Sequence, residues 1–375
     1  MRVGIDARLA AAPRTGIGSY VTNLIAALAR AGGPDELLLF SDTPLAAPAR
    51  PGWESVVRPG RRRLLWTFGT LPRAIRGRGL DLFHGTTNFE LPFLAGCPLV
   101  ATVHDLIPLR YPAGVSRKYR FLFRALIGRT VRAARRVITV SEFTRREILA
   151  RWPSAAGKLV VVPNGHDPAH SPAVEPGEEE RVRARYGLPG RYLLFVGVFE
   201  PRKNVPLLVD AFARLRAEAP EAADLQLALA GGAGWRGAEI AAGVRARGLE
   251  PAVRLLGYVP GEDLPALYRH AALAVVPSAY EGFGIPVIEA MACGTPVLAA
   301  DAAALPETVG GAGELFTPGD PGHLSQRLRS LLASPARLAD LRARGLARAR
   351  EYTWDATALR TLEVYRDAAA GEARR

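Results

Sequence analysis

Cysteine is scarce in this chain of 375 residues, which contains only Cys97 and Cys293. Two cysteines cannot build a disulfide scaffold, so a reduced compartment fits best. No apolar run approaches the roughly 18 residues that a membrane span needs. The first residues, MRVGIDARLA, become charged too soon for a signal peptide. We therefore expect a cytosolic protein, or one held at a membrane surface from the cytosolic side.

Several motifs that carry chemistry are also missing. The sequence has no G-x-x-x-x-G-K-[ST] phosphate loop and no G-x-S-x-G nucleophile elbow. His166 and His170 are four residues apart, but Pro168 between them argues against a shared helical face for a metal. No D-x-D pair is present to hold a divalent cation. We expect neither a metal nor a bound cofactor, and cations and helix N-termini would neutralise any nucleoside diphosphate.

Lysine is the rare cation, since only Lys118, Lys158 and Lys203 occur among 49 basic residues. The formal net charge of +13 is uneven, because residues 1–168 carry +14 and residues 169–375 carry −1. A basic first half suggests an anionic partner, such as an anionic membrane or a phosphorylated substrate. A simpler explanation of the excess of basic residues is GC-rich coding, which favours Ala, Arg, Gly and Pro. Nucleic acid is disfavoured as a partner, since the sequence contains no recognised binding module.

Short β-like runs alternate with helical patterns, which predicts an α/β protein with parallel sheets. Their continuous apolar character suits strands that are buried on both faces. The sequence predicts two Rossmann-like doubly wound domains, at 1–166 and 188–352, joined by a linker at 167–187. Such sheets bind ligands at the carboxyl ends of their strands, so we expect a cleft between the two domains. The predicted strands are 3–6, 37–40, 81–84, 99–104, 137–140, 159–163, 191–197, 225–231, 253–259, 273–278 and 296–300.

The most informative segment is YEGFGIPVIEAMACGTPV, at 280–297. Its glycines form a turn before a helix, and Pro286 suits the first helical turn. The N–H groups at this positive helix end would bind sugar hydroxyls or phosphate. Glu281 in the turn and Glu289 within the helix could bind a hexose and a ribose. The simpler alternative is one carboxylate that stabilises a helix dipole and one that is solvated. The N–H groups belong to Phe283, Gly284 and Ile285.

A second glycine pattern is less specific. Gly232, Gly234 and Gly237 match G-x-G-x-x-G after a predicted strand, but no acidic residue follows at the spacing of about 20 residues. The loop is either a turn that faces phosphate or an ordinary glycine-rich turn.

The segment 280–297 resembles the E-x7-E signature of retaining, nucleotide-sugar-dependent glycosyltransferases of the GT-B fold, in the group called family four. The resemblance covers nearly the whole chain, and TVHDLIPLRYP is similar to a histidine segment of bacterial mannosyltransferases. It implies an N-terminal domain that binds the acceptor and a C-terminal domain that binds the nucleotide sugar. It also implies a last helix, within 353–375, that crosses back to the N-terminal domain. The other similar segments are 102–112, 137–148, 162–168 and 196–215.

Arg202 and Lys203 lie in the segment that resembles the family's donor-phosphate region, after a strand that ends at Gly197. Two cations there can stabilise the negative charge that a leaving diphosphate acquires. Cations are unfavourable at a helix N-terminus, which argues against two merely solvated side chains. The nucleotide base is expected near Gly257, Tyr258 and Val259, and would be recognised largely through the backbone.

His104 ends a predicted strand in the first domain. The resemblance implies that it contacts the donor sugar or stabilises charge near the reacting centre, and a structural histidine bonded to Asp105 is the alternative. Thr15 begins a loop of small residues that would let backbone approach the donor phosphates. The family has a Gly-Gly pair here, whereas this sequence has Gly16 and Gly18 separated by one residue.

Basic residues in the first half also form a pattern. Within Ser116–Arg136, cations fall on one half of a helical wheel, with Phe121 among them, and the apolar residues Leu122, Phe123, Leu126 and Ala133 fall on the other. Such a helix can lie on an anionic membrane, or it can be a core helix with a solvated face. The candidates for membrane or acceptor contact are Arg61, Arg62, Arg63, Arg117, Lys118, Arg120 and Arg124.

Together these features predict a retaining, metal-independent hexosyltransferase of polysaccharide biosynthesis, with His104, Glu281, Arg202 and Lys203 as catalytic residues. The resemblance favours GDP-mannose over a UDP-sugar as donor and a glycan or lipid-linked molecule as acceptor. The alternatives are a sugar-nucleotide epimerase and a non-catalytic sugar-nucleotide-binding protein on the same scaffold.

Overall fold

The computed structural model describes residues 1–11, 16–45, 48, 50–60, 62–232 and 237–370. It contains two compact units, one formed by Met1–Gly165 with Trp354–Arg375 and the other by His166–Thr353. Each unit holds an all-parallel sheet with helices in its crossovers. This architecture confirms the predicted pair of Rossmann-like α/β domains.

The first unit is built on seven strands in the order β3-β2-β1-β4-β5-β6-β7. Val3 at the centre pairs with Leu37 on one side and Leu82 on the other. The order in which successive strands are added switches from one side of the sheet to the other between β1 and β4, and such folds bind ligands at this switch point. The strands are Arg2–Asp6 (β1), Glu36–Ser41 (β2), Trp53–Val57 (β3), Leu82–Gly85 (β4), Leu99–Val103 (β5), Arg136–Thr139 (β6) and Leu159–Val161 (β7).

The helices of the first unit cover two apolar clusters. They are Gly16–Arg30 (α1), Arg63–Leu65 (α2), Leu71–Ile75 (α3), Ile107–Arg110 (α4), Arg117–Ala133 (α5), Glu142–Arg151 (α6) and the last helix, Trp354–Ala370 (α15). A π-helical segment, Trp66–Thr70, joins α2 to α3. The last helix packs on α1, where the rings of Tyr20 and Trp354 meet edge-on with centroids 5.8 Å apart.

The second unit has six strands in the order β10-β9-β8-β11-β12-β13, so its topological switch point lies between β8 and β11. The strands are Tyr192–Val196 (β8), Gln226–Ala230 (β9), Val253–Gly257 (β10), Leu273–Val276 (β11), Val297–Ala300 (β12) and Glu314–Phe316 (β13). The helices are Glu178–Tyr186 (α7), Val205–Glu218 (α8), Gly237–Ala246 (α9), Leu264–Arg269 (α10), Ile285–Ala292 (α11), Leu305–Val309 (α12), Pro321–Leu332 (α13) and Pro335–Ala349 (α14).

The segment predicted as a linker, 167–187, is part of the second unit and contains α7. Glu178 in the first turn of α7 is 3% exposed and pairs with Arg269, and His270 lies 2.9 Å from the same carboxylate. The acidic run Glu178–Glu180 within the predicted linker is therefore the first turn of a helix, where carboxylates are favourable.

Two strands and one helix end were not predicted. β3 and β13 lie at sheet edges, and each contains a glutamate that interrupts the apolar pattern. The basic helix α5 ends at Ala133, because Ala134 adopts extended backbone, and Arg136 already begins β6. Arg135 and Arg136 therefore do not extend the basic face, and Ala133 is exposed rather than in the core.

Candidate active site

Three glycines lie at the carboxyl ends of neighbouring strands in the second sheet. Gly197, Gly231 and Gly257 have φ angles of 154°, 152° and 67°. A Cβ atom at Gly231 would lie 2.0 Å from the carbonyl oxygen of Gly197, so only glycine fits there. Tyr258 is 70% exposed, whereas Val259 packs in the core. This edge presents bare backbone that a phosphate or nucleoside could approach closely.

Glu281, Lys203 and Arg202 form one cluster in the second unit. Glu281 and Lys203 are each 7% exposed. Lys203 Nζ donates to Glu281 Oε1 at 2.6 Å, and Arg202 Nη1 donates to Glu281 Oε2 at 2.9 Å. Arg202 Nε also donates to Glu200 at 2.9 Å. The sequence suggested two cations awaiting a diphosphate, whereas the structure pairs both with carboxylates in a formally neutral cluster.

The Glu281 carboxylate is ionised at neutral pH. Burial alone would raise its pKa, but the charges of Lys203 and Arg202 outweigh burial and lower the pKa to about 2. A buried carboxylate held by two cations is weak evidence for stability, because apolar packing is often as good. A strongly shifted pKa with named charge partners is instead a mark of a functional site.

Two loops fix this cluster. Arg202 and Lys203 lie in a 3-10 turn after β8, and Asn204 leaves that turn in the left-handed conformation at φ 53°. The Ala279 N–H donates to the Arg202 carbonyl at 2.7 Å, and Arg202 Nη1 donates to the Tyr280 carbonyl at 3.2 Å. Because β8 and β11 are neighbours in the sheet, the loops after them meet at its carboxyl edge.

The loop that carries Glu281 leads directly into α11. Gly284 is the N-cap of this helix at φ 97°, and a Cβ atom there would lie 2.9 Å from Leu305 Cδ2. Phe283 is buried edge-on against Tyr352 with ring centroids 5.5 Å apart. The Ile285 N–H heads the helix and has no carbonyl partner within it, whereas Pro286 has no N–H and the Val287 N–H donates to the Gly284 carbonyl at 2.9 Å. The structure thus brings the predicted ligand-binding helix end next to the carboxylate cluster.

Glu289 lies in the second turn of α11, and its side chain is 18% exposed. The Tyr268 hydroxyl donates to Glu289 Oε2 at 3.2 Å. Burial raises the pKa of Tyr268, so this hydroxyl stays protonated and keeps donating. On the other side, His170 Nε2 lies 4.0 Å from Glu289 Oε1. Sequence reasoning considered His170 only as a poor metal ligand and missed this neighbour of Glu289.

His104 lies at the carboxyl end of β5 in the first unit and is 8% exposed. Its backbone N–H donates to Asn88 at 2.7 Å, and its Nε2 faces the Thr86 carbonyl at 3.0 Å. Since a carbonyl only accepts, Nε2 carries a proton. Burial lowers the pKa of His104 to about 4. Asp105 accepts the Ile107 N–H at 3.0 Å.

The small-residue loop after β1 is partly helical. Gly16 is the first residue of α1 and Gly18 is buried in its first turn, whereas Thr15 lies outside the described residues. In the second glycine pattern, Gly237 begins α9 and Gly234 lies outside the described residues.

A buried charge network in the first unit was not predicted. Arg8 Nη2 bonds Asp6 at 2.6 Å and Glu90 at 2.8 Å, and both carboxylates are 1% exposed. Burial would lower the pKa of Arg8, but its two carboxylates raise it. The guanidinium also stacks 4.4 Å from the centroid of Trp66. A cavity of about 310 Å³ opens beside Arg8 at the carboxyl edge of the first sheet, with Asp42, Thr43 and Arg63 among its lining residues.

Most of the cations proposed to contact a membrane or an acceptor are exposed, as expected, but Arg63 and Arg120 differ. Arg63 pairs with the buried Glu90 at 2.5 Å, so it is part of the charge network. Arg120 is half-buried, whereas Arg62, Arg117, Lys118 and Arg124 are exposed, and Arg61 lies outside the described residues. Large apolar side chains lie among these cations, with Leu65 63% and Phe121 71% exposed.

No group of three or more metal-ligating side chains gathers within the described part of the chain. Of the helices described, none combines the length and the apolar character that crossing a membrane requires.

Residues 178–349 match the family model for glycosyl transferases group 1, and residues 14–170 match the model for glycosyltransferase family 4. A sucrose-phosphate synthase from Thermosynechococcus elongatus matches the fold with a TM-score of 0.79 and 26% identity, over 99% of this chain and 100% of that one. O-antigen chain mannosyltransferase B of Escherichia coli is 32% identical over 373 residues, which cover 94% of this chain and 96% of the relative. The chain belongs to the GT-B glycosyltransferases.

A second relative of this glycosyltransferase has a different acceptor in its name. D-inositol 3-phosphate glycosyltransferase of Kineococcus radiotolerans is 36% identical over 291 residues, which cover 72% of this chain and 66% of the relative. Membership of the family establishes glycosyl transfer.

Proposed function

We propose that this glycosyltransferase moves a hexose, mannose before others, from a nucleoside diphosphate sugar to a glycan or lipid-linked acceptor. The transfer retains the anomeric configuration and uses no metal. The observation that carries the proposal is the Glu281 carboxylate, held by Lys203 and Arg202 beside the N-terminus of α11. Glu289 lies within α11, eight positions after Glu281. In the E-x7-E signature that this segment resembles, the first glutamate is expected to bind the transferred sugar and the second the ribose.

The donor's diphosphate would bind beside Lys203, Arg202 and the N-terminal end of α11, which supply N–H donors. These groups stabilise the negative charge that the leaving nucleoside diphosphate gains as the sugar departs. Glu281, ionised and fixed by its two cations, accepts hydrogen bonds from hydroxyls of the transferred hexose. The same cations thereby orient the sugar relative to the leaving group.

Retention without a protein nucleophile fits the pairing of three buried carboxylates with cations. Glu281 has both oxygens engaged by cations, and Asp6 and Glu90 in the first unit are both bonded to Arg8. We infer a same-face mechanism in which the donor separates toward an ion pair before the acceptor attacks. A neutral His104 contributes a polar contact rather than a positive charge.

Mannose is favoured because the Escherichia coli relative that spans nearly the whole chain is named a mannosyltransferase. GDP is favoured as its carrier because segment 102–112 resembles the histidine segment of bacterial mannosyltransferases. A role in polysaccharide assembly is proposed on the same ground. An acceptor linked to lipid would bring the enzyme to the cytoplasmic face of a membrane. The exposed face formed by Arg117, Lys118, Arg124 and Phe121 suits an anionic bilayer. Sedimentation with vesicles of phosphatidylglycerol, but not phosphatidylcholine, would support this contact, and Phe121→Glu should weaken it.

The donor can be tested by thermal unfolding with GDP-mannose, UDP-glucose, ADP-glucose and dTDP-glucose. A ligand that binds only the folded chain raises its melting temperature. We expect GDP-mannose to give the largest rise and Glu289→Gln to abolish it. No rise with any nucleotide sugar would remove the donor-site argument. A rise that is unchanged in Glu289→Gln would place the nucleotide elsewhere.

A further inference from the structure

His170 is a buried imidazole that the protein leaves without hydrogen bonds. It is 6% exposed, and neither ring nitrogen has a hydrogen-bond partner within the described part of the chain. A buried polar group without a partner costs stability, and most such groups in folded proteins are satisfied. An unsatisfied imidazole of this kind indicates a partner that is not part of the protein.

The loop that carries His170 is well fixed. The His170 N–H donates to the Asp167 carbonyl at 2.9 Å, and the Ala169 N–H donates to the Asp167 carboxylate at 2.9 Å. Arg269 then holds the next residue by donating to the Ser171 carbonyl at 3.0 Å. The ring of His170 packs edge-on against Tyr268 with centroids 5.8 Å apart. The imidazole is therefore held in place by the backbone turn and a neighbouring ring, without a polar contact of its own.

The spacing between His170 and Glu289 suits a bridging hydroxyl. Nε2 and Oε1 are 4.0 Å apart, which is too far for a direct hydrogen bond. An oxygen at a normal distance of about 2.8 Å from both atoms would subtend an angle of about 90° between them. A hydroxyl can donate to the carboxylate and accept from an imidazole N–H in that position. The other Glu289 oxygen already accepts from Tyr268 at 3.2 Å, which leaves Oε1 to face the ligand.

We propose that His170 is a donor-binding residue that completes, together with Glu289, the recognition of the nucleoside ribose. The Glu289 carboxylate accepts hydrogen bonds, whereas an imidazole N–H donates one, so the pair matches the donor and acceptor atoms of a vicinal diol. The site then selects ribonucleotides over 2′-deoxyribonucleotides, because the missing hydroxyl would leave buried polar atoms unpaired. This inference rests on the proposed function, since it assumes that the nucleotide lies against Glu289.

Calorimetric titration of GDP, UDP and their 2′-deoxy forms into wild type, His170→Leu and His170→Gln tests the inference. Leucine is apolar and roughly fills the space, whereas glutamine keeps a hydrogen-bonding group. We expect His170→Leu to weaken binding of the preferred ribonucleotide by about tenfold. Its preference over the deoxy form should shrink, and glutamine should restore part of both. Without nucleotide, the melting temperature of His170→Leu should be equal to or above that of wild type, because the leucine variant buries no unpaired imidazole.

Two kinds of result would contradict the assignment of His170, and they distinguish it from the proposed donor site. A His170→Leu protein that is less stable without nucleotide but binds GDP and UDP as wild type does would make His170 a structural partner of Glu289 and overturn the inference alone. Failure of both variants to fold would have the same meaning. If wild type binds neither GDP nor UDP, the proposed donor site fails, and the assignment of His170 fails with it.

Discussion

Replacing Lys203 with methionine tests how the Glu281 cluster divides its role between stability and chemistry. Lys203 makes the shorter of the two charged contacts to Glu281, at 2.6 Å. A pKa lowered from 4.5 to about 2 means that folding favours the ionised carboxylate by about 3 kcal/mol. With Lys203 gone, Arg202 alone holds a buried charge. We expect the free energy of unfolding at pH 7 to fall by about 2–3 kcal/mol, somewhat less than the loss of a sole partner would cost.

The double variant Lys203→Met with Glu281→Gln is the matched control. It removes the buried charge together with its partner, and Arg202 keeps its contact to Glu200 at 2.9 Å. Most of the lost stability should therefore return, whereas turnover of the donor should be lost in both the single and the double variant. Urea unfolding followed by circular dichroism measures the first quantity, and release of GDP from GDP-mannose measures the second. A double variant as unstable as the single one would refute the charge argument.

The same cluster predicts a dependence on pH. Because the folded pKa of Glu281 lies below its unfolded value, its contribution is complete above pH 4.5 and is lost as the pH falls toward about 2. Glu281→Gln should lack this acid-sensitive contribution in unfolding experiments between those two values.

Two further predictions concern the backbone edge and the buried histidines. Gly231→Ala should lower the free energy of unfolding by about 3 kcal/mol or more, because its Cβ would lie 2.0 Å from a carbonyl oxygen. In the control Gly232→Ala, the new Cβ meets nothing within 4 Å, so the free energy of unfolding should change by no more than about 1 kcal/mol. Urea unfolding measures both values. His84 is a fully buried residue of β4. Burial lowers the pKa of His104 to about 4 and that of His84 to about 3, below the unfolded value of 6.5, so the stability that each neutral ring contributes is complete above pH 6.5 and is lost as the pH falls. From pH 7 to pH 5 the loss should be about 2 kcal/mol for each histidine, and a His104→Gln protein whose unfolding free energy changes as steeply as that of wild type over this interval would contradict the assignment.

Much of the architecture was predictable because local sequence patterns indicate its strands and helices. Uninterrupted apolar runs identify strands buried on both faces, and their alternation with helical periods gives the doubly wound order. The edge strands β3 and β13 escaped because an edge strand needs no continuous apolar run, and each contains a glutamate. The run Glu178–Glu180 looked like a linker because its partner, Arg269, lies about 90 residues later in the chain.

The sequence nominates the residues of the candidate site but does not show how they pair. Glu281 and Glu289 stand out because their spacing along one short segment is itself the signal. The contact between Lys203 and Glu281 joins residues 78 positions apart, and the contact between Arg8 and Glu90 joins residues 82 positions apart. No local pattern reports such pairs, since they depend on which strands become neighbours. His170 was hidden for the same reason, because it comes close to Glu289 only in the folded chain and belongs to no motif.

The most direct test of the account is transfer of mannose from GDP-α-D-mannose to methyl α-D-mannopyranoside, followed by proton NMR with and without this acceptor. The account predicts GDP release that depends on the acceptor and an α-linked product, and loss of both in the Arg202→Ala with Lys203→Ala double variant. A β-linked product would contradict the retaining mechanism. Donor turnover that is equally fast without acceptor and yields an epimerised sugar would contradict the transferase account in favour of an epimerase.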